Sequence, residues 1–120
     1  MMKQVFFSAI FAALAVLSSR ATDVTIHAID LPQDSGMLFI QITSGETQRF
    51  AAVEVTGYDM TCTIADVPDG KVQIAAFQDL NANNNLDLNE MGIPTEPCLQ
   101  MGAEVSPDNA VINITLQQYN

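Results

Sequence analysis

Beyond residue 21 a turn signal interrupts the chain about every ten residues, a spacing that leaves room for strands and none for a sustained helical period. The signals fall at 32–36, 44–46, 57–59, 68–70 and 106–109, and each holds Gly, Pro or Asx at turn-forming positions. Between them lie alternating or β-branched runs that predict strands over 23–31, 36–43, 48–55, 60–67, 70–77, 99–105 and 110–118. Short strands at this spacing imply a sandwich or a barrel. The expected architecture is all-β: a single seven-stranded antiparallel β-sandwich with an immunoglobulin-like or transthyretin-like Greek key.

The widest interval between runs begins Asp79-Leu80-Asn81-Ala82-Asn83-Asn84-Asn85-Leu86-Asp87-Leu88-Asn89-Glu90. Counting Asp79 as position 1 puts Asn81 at 3, Asn83 at 5, Asn85 at 7, Asp87 at 9 and Glu90 at 12, which is the ligand order of an EF-hand loop. Asn84 takes the place of glycine at position 6, where a sharp turn needs a left-handed backbone that Asn tolerates. Leu86 is the apolar anchor at position 8. The flanks are not helical, because 71–78 reads as a strand and Gly92, Pro94 and Pro97 follow the loop. The expectation is one calcium ion, held in a solvated loop by the side chains of Asp79, Asn81, Asn83, Asp87 and Glu90 and the carbonyl of Asn85. With only three charged ligands, affinity falls in the weak range of about 10⁻⁴ to 10⁻³ M. The competing reading is an Asn-rich surface turn whose Asx side chains cap their own backbone.

Residues 1–21 carry Lys3, an apolar run over 5–17 and the small-residue exit Ser19-Arg20-Ala21, the pattern of a secretory signal peptide. The apolar run is too short for a span of about 20 residues, so no membrane span is expected once the leader is removed. The remainder, 22–120, is one small domain, expected to be periplasmic or secreted and monomeric. Only Arg49 and Lys71 then oppose 14 acidic residues, a balance that repels nucleic acid. Cys62 and Cys98 enter an oxidising compartment as an even count, which predicts a disulfide between them. Catalysis lacks parts: His27 is the single histidine, and no spacing brings a nucleophile to a base or two carboxylates together.

The stretch Val67-Pro68-Asp69-Gly70-Lys71-Val72-Gln73-Ile74-Ala75-Ala76-Phe77-Gln78-Asp79, the Asn-rich loop, and then Met91-Gly92-Ile93-Pro94-Thr95-Glu96 resembles the exported bacterial domain of unknown function 2141. The family pattern of Asp, Asn, Asn, Leu and Asp falls on Asp79, Asn81, Asn83, Leu86 and Asp87. Gln78 stands where the family has His, and Pro97-Cys98 where a Gly-aromatic stretch follows. The loop is also similar to calcium loops of Cna B-type β-sandwich modules. Neither resemblance implies an enzyme activity. The expected function is a non-catalytic exported module with a structural or protein- or glycan-binding role; the alternative is a small extracytoplasmic enzyme that uses calcium structurally.

Overall fold

The structure, a computed structural model, describes residues 20–119. The predicted leader thus lies outside the described residues up to Ser19. Seven strands form: β1 (Ala21–Ala28), β2 (Met37–Ser44), β3 (Thr47–Glu54), β4 (Met60–Pro68), β5 (Gly70–Asp79), β6 (Cys98–Val105) and β7 (Val111–Ile114). Among the described residues there is no helix, and so none long and apolar enough to cross a membrane. The strands make two sheets, ordered β4-β1-β7 and β3-β2-β5-β6.

Alternation decides which side chains lie between the sheets. Val24, Ile26 and Ala28 of β1 face Leu38, Ile40 and Ile42 of β2 and Val72, Ile74 and Ala76 of β5 in one buried cluster, completed by Ile112 and Ile114. Each fully buried Val, Leu or Ile side chain stabilises the fold by about 1.5–3 kcal/mol. The last strand stops at Ile114, four residues before the predicted end, yet Leu116 still fills the core at 3% exposure.

One pairing departs from expectation. β1 and β7 run parallel, Thr25 opposite Val111 through Ala28 opposite Ile114, so the sandwich is mixed and not wholly antiparallel. The first and last strands need no tight turn between them, and the long path through the other five strands supplies the crossover that a parallel pair requires. The strand order also differs from the ABED and CFG sheets of an immunoglobulin constant domain, since β1 pairs with β4 and β7 and not with β2. In β4 an extra residue opposite Asp23 makes a bulge, with Asp66 left-handed at φ 58° and its N–H donated to Asp23 Oδ1 at 3.2 Å.

The β1–β2, β3–β4 and β5–β6 connections meet at one end of the sandwich. Val55 N–H donates to the Gly36 carbonyl and Leu31 N–H to that of Tyr58, both at 2.9 Å. Gln78, fully buried, donates its Nε2 to the carbonyls of Gln33 at 2.7 Å and Ser35 at 2.9 Å, which fastens the β1–β2 connection to the end of β5. This junction is the floor on which the long β5–β6 loop stands.

Candidate functional site: the β5–β6 loop

Asp79 is the last residue of β5 and shares its parity with Ala75 and Phe77, which belong to the outer face of the four-stranded sheet. The loop that follows folds back over that face, bringing Asn84, Leu86 and Pro94 to the same cleft as Phe39 and Phe77. Asp79 is therefore covered, at 1% exposure, and not solvated as its place in an Asn-rich loop suggested. Its two oxygens are used unequally. Oδ2 accepts the Asn84 N–H at 2.8 Å, while Oδ1 is buried with no partner among the described residues. A buried carboxylate oxygen without a donor is costly and marks a place where a donor or cation would be stabilised. Asn84 itself is left-handed at φ 63°, the conformation required at position 6 of the loop, and Ala82 at φ 60° helps tighten the turn.

Asp87 is the hub of the exposed half. Its Oδ1 accepts Asn83 Nδ2 at 2.6 Å, its Oδ2 accepts Asn81 Nδ2 in a short contact, and its carbonyl accepts the Thr95 N–H at 2.9 Å. The amide oxygens turn the other way. Asn81 Oδ1 accepts the Asn83 N–H at 3.3 Å and Asn83 Oδ1 the Asn85 N–H at 3.0 Å, two successive Asx turns. Asn85 adds a bond from Nδ2 to the Asn83 carbonyl at 3.2 Å.

The structure thus gathers Asp79, Asn81, Asn83, Asn85 and Asp87 into one hydrogen-bonded loop. Glu90 is placed differently. It sits exposed on the turn Asn89-Glu90-Met91-Gly92, where Gly92 is left-handed at φ 78° and Asn89 Oδ1 accepts the N–H groups of Met91 at 2.8 Å and Ile93 at 3.0 Å. Position 12 thus falls on a second turn, closed by the Leu88–Pro94 bridge, and not on a helix.

Glu96 is the carboxylate that sequence reasoning missed. At 4% exposure it accepts the Leu80 N–H on Oε2 at 2.7 Å and the Asp87 N–H on Oε1 at 3.1 Å, so it ties the start of the loop to its middle. No ligand spacing includes position 96, and the available signal was only an acid immediately before Pro97 at the mouth of the next strand. No three of the His, Cys, Asp and Glu side chains among the described residues form a metal-sized cluster, so any cation held here draws on amide and carbonyl oxygens.

The expected Cys62–Cys98 bridge is not seen in the structure, where both are free thiols. Cys62 belongs to β4, which packs over β3, whereas Cys98 starts β6, where it exchanges backbone bonds with Gln117 at the opposite edge. With neighbouring strands about 4.8 Å apart and sheets about 10 Å apart, the two positions lie well beyond the 7 Å Cα limit for a bridge. Burial pushes both thiols above the usual thiol value by disfavouring the thiolate. The native protein without reductant is therefore expected to titrate with two thiols per chain, slowly at neutral pH and faster only as pH rises beyond the ordinary thiol range. Ellman's reagent checks this, and no titratable thiol would reinstate the bridge.

His27 lies in β1 in register with Thr61 of β4 and Asn113 of β7, in the sheet that does not carry the loop.

Fold and loop together define a small two-sheet β-sandwich with an amide- and carboxylate-rich loop standing on the open face of one sheet. The family model described as "uncharacterized protein conserved in bacteria (DUF2141)" matches residues 24–100, from β1 into β6, and the chain belongs to that family. No curated protein and no solved structure matches it.

Proposed function

We propose that this protein is an exported, non-catalytic β-sandwich module, transthyretin-like in class, whose β5–β6 loop binds one calcium ion and thereby fixes a ligand-binding face. The observation that carries the reading is the Asp79 carboxylate, with Oδ2 committed to the Asn84 N–H and Oδ1 buried without a partner among the described residues. Asp79 Oδ1, the side-chain oxygens of Asn81, Asn83 and Asp87, and the Asn85 carbonyl are the proposed ligands, with Glu90 turning in from its exposed position. The Asn81 and Asn83 amide nitrogens meet Asp87. An ion between them would reverse both amides, a rotation that exchanges groups of nearly equal size. The Asx turns of Asn81 and Asn83 favour the rival reading of a self-capped surface loop.

Thermal unfolding of the secreted material, its mass marking a start at or near Thr22, separates the two. Because the ion binds only the folded loop, calcium at ten times its dissociation constant is expected to stabilise the domain by about 1.4 kcal/mol. Asp79→Asn is expected to remove the shift, since it deletes the charge and replaces an oxygen by an amide nitrogen at the buried position. Glu90→Gln removes it only if Glu90 completes the shell. Identical unfolding in millimolar calcium and in chelator would favour the self-capped loop.

A further inference from the structure

The outer face of the four-stranded sheet is divided along its length. Beneath the loop, strand register aligns Ala52, Phe39, Phe77 and Cys98 in one cross-strand row and Phe50, Gln41, Ala75 and Gln100 in the next. One step further from the loop the row is Gln48, Thr43, Gln73 and Gly102, the polar composition ordinary for a solvated sheet face. Apolar side chains thus concentrate only where the loop overhangs. There they line a cleft of about 870 Å³, within the range of small-molecule sites. Phe50, 67% exposed, stands at one side, and Tyr119, 56% exposed, also borders the cleft, with Leu86 and Pro94 supplied by the loop.

We propose that this cleft binds a neutral saccharide, an assignment that rests on the reading of the protein as a binding module and names its ligand class. Three features select that chemistry. The first is charge: the chain carries 14 acidic residues, yet among the described residues no charged side chain lines the cleft, so an ionic ligand would lose its hydration without gaining a counter-charge. The uncharged lining complements an uncharged ligand.

The second is the kind of polar group. Gln41, Gln100 and Asn84 are carboxamides, and each offers donors and an acceptor together, which is what a sugar hydroxyl requires because it also donates and accepts. Gln41 donates Nε2 to the Thr43 hydroxyl over a long 3.4 Å, a weak bond that a ligand hydroxyl could replace. A purely hydrocarbon ligand would strand these amides at about 1–3 kcal/mol each. A polypeptide strand would seek a sheet edge for its backbone, and the cleft opens on the face.

The third is the floor. Phe39 and Phe77 stack with centroids 5.2 Å apart and planes 25° apart, so each covers one face of the other and leaves its second face beside the small side chain of Ala52 or Cys98. The C–H face of a pyranose, carrying partial positive charge, lies favourably on the negative face of such rings.

Isothermal titration of the purified protein with neutral mono- to trisaccharides of glucose, galactose, mannose and N-acetylglucosamine tests the assignment, in calcium and in chelator. At least one is expected to bind in the millimolar range or tighter. Phe50→Ala and Gln100→Ala, both at exposed positions, are each expected to weaken binding about tenfold with the melting temperature unchanged. Absence of binding across the panel overturns the proposal, as does binding that both substitutions leave intact. Sedimentation that shows a dimer abolished by Phe50→Ala also overturns it, because the face would then belong to a second copy. Calcium-dependent unfolding is read separately, so a saccharide result and the calcium result fail independently.

Discussion

Replacing Glu96 with alanine is expected to destabilise the domain by about 3 kcal/mol. The side chain is 4% exposed and receives two backbone N–H groups, Leu80 at 2.7 Å and Asp87 at 3.1 Å, each a hydrogen bond to a carboxylate. Such bonds contribute about 1.5–3 kcal/mol apiece, and their loss strands two donors at the base of a loop. The total falls short of the sum because both donors belong to a surface loop that water can reach once the carboxylate is gone. Glu96→Gln keeps one acceptor oxygen and turns an amide N–H₂ toward the other donor, so it is expected to lie between wild type and alanine. Urea unfolding of the three proteins gives the order, with the slope unchanged if the denatured state is the same. If the cost is confined to the loop, exchange of the Leu80 and Asp87 amides rises while the global midpoint holds, and hydrogen exchange reports it. Unchanged exchange together with an unchanged midpoint would show that Glu96 does not close the loop.

That residue also shows where sequence reasoning runs out. Strands were legible because alternation is local: Val24, Ile26 and Ala28, or Val72, Ile74 and Ala76, announce a buried face without reference to any partner. The left-handed turn at Asn84 was legible for the same reason, since ligand spacing fixes where the loop must bend. Glu96 depends instead on β5 and β6 being neighbours, which places residue 96 beside residue 80, and no periodicity encodes that adjacency. Strand direction was equally hidden, because alternation reads the same in a parallel β1–β7 pair as in an antiparallel one. The cysteines illustrate a third limit: an even count in an exported chain says nothing about which edge of the sandwich each thiol occupies. The run Met37-Leu38-Phe39-Ile40 is apolar on both faces, so it predicted a strand without revealing that Phe39 belongs to an outer cleft.

Adding one methyl group at Gly36 is expected to cost about 3–4 kcal/mol and to reach the loop as well as the fold. Gly36 is left-handed at φ +86°, and a Cβ there would stand 2.4 Å from the Asp79 carbonyl oxygen and 3.1 Å from its carbon. A non-glycine residue in that region costs about 1–2 kcal/mol, and the overlap adds a further 1–3 kcal/mol because the opposing atoms are backbone and cannot rotate away. Neither side has slack. The Gly36 carbonyl accepts the Val55 N–H at 2.9 Å, and Gln78 holds the carbonyls of Gln33 and Ser35 from the β5 side. Relief therefore comes by moving Asp79, which would displace the carboxylate proposed to ligate calcium, so Gly36→Ala is expected to lose the calcium-induced shift together with stability. Gly57→Ala is the control, since its Cβ would meet nothing within 4 Å and its backbone is not left-handed. Its effect is expected to stay within about 0.5 kcal/mol. Urea midpoints of the two variants, each measured in calcium and in chelator, make the comparison, and a Gly36→Ala protein as stable as Gly57→Ala would show that the two chain segments do not approach this closely.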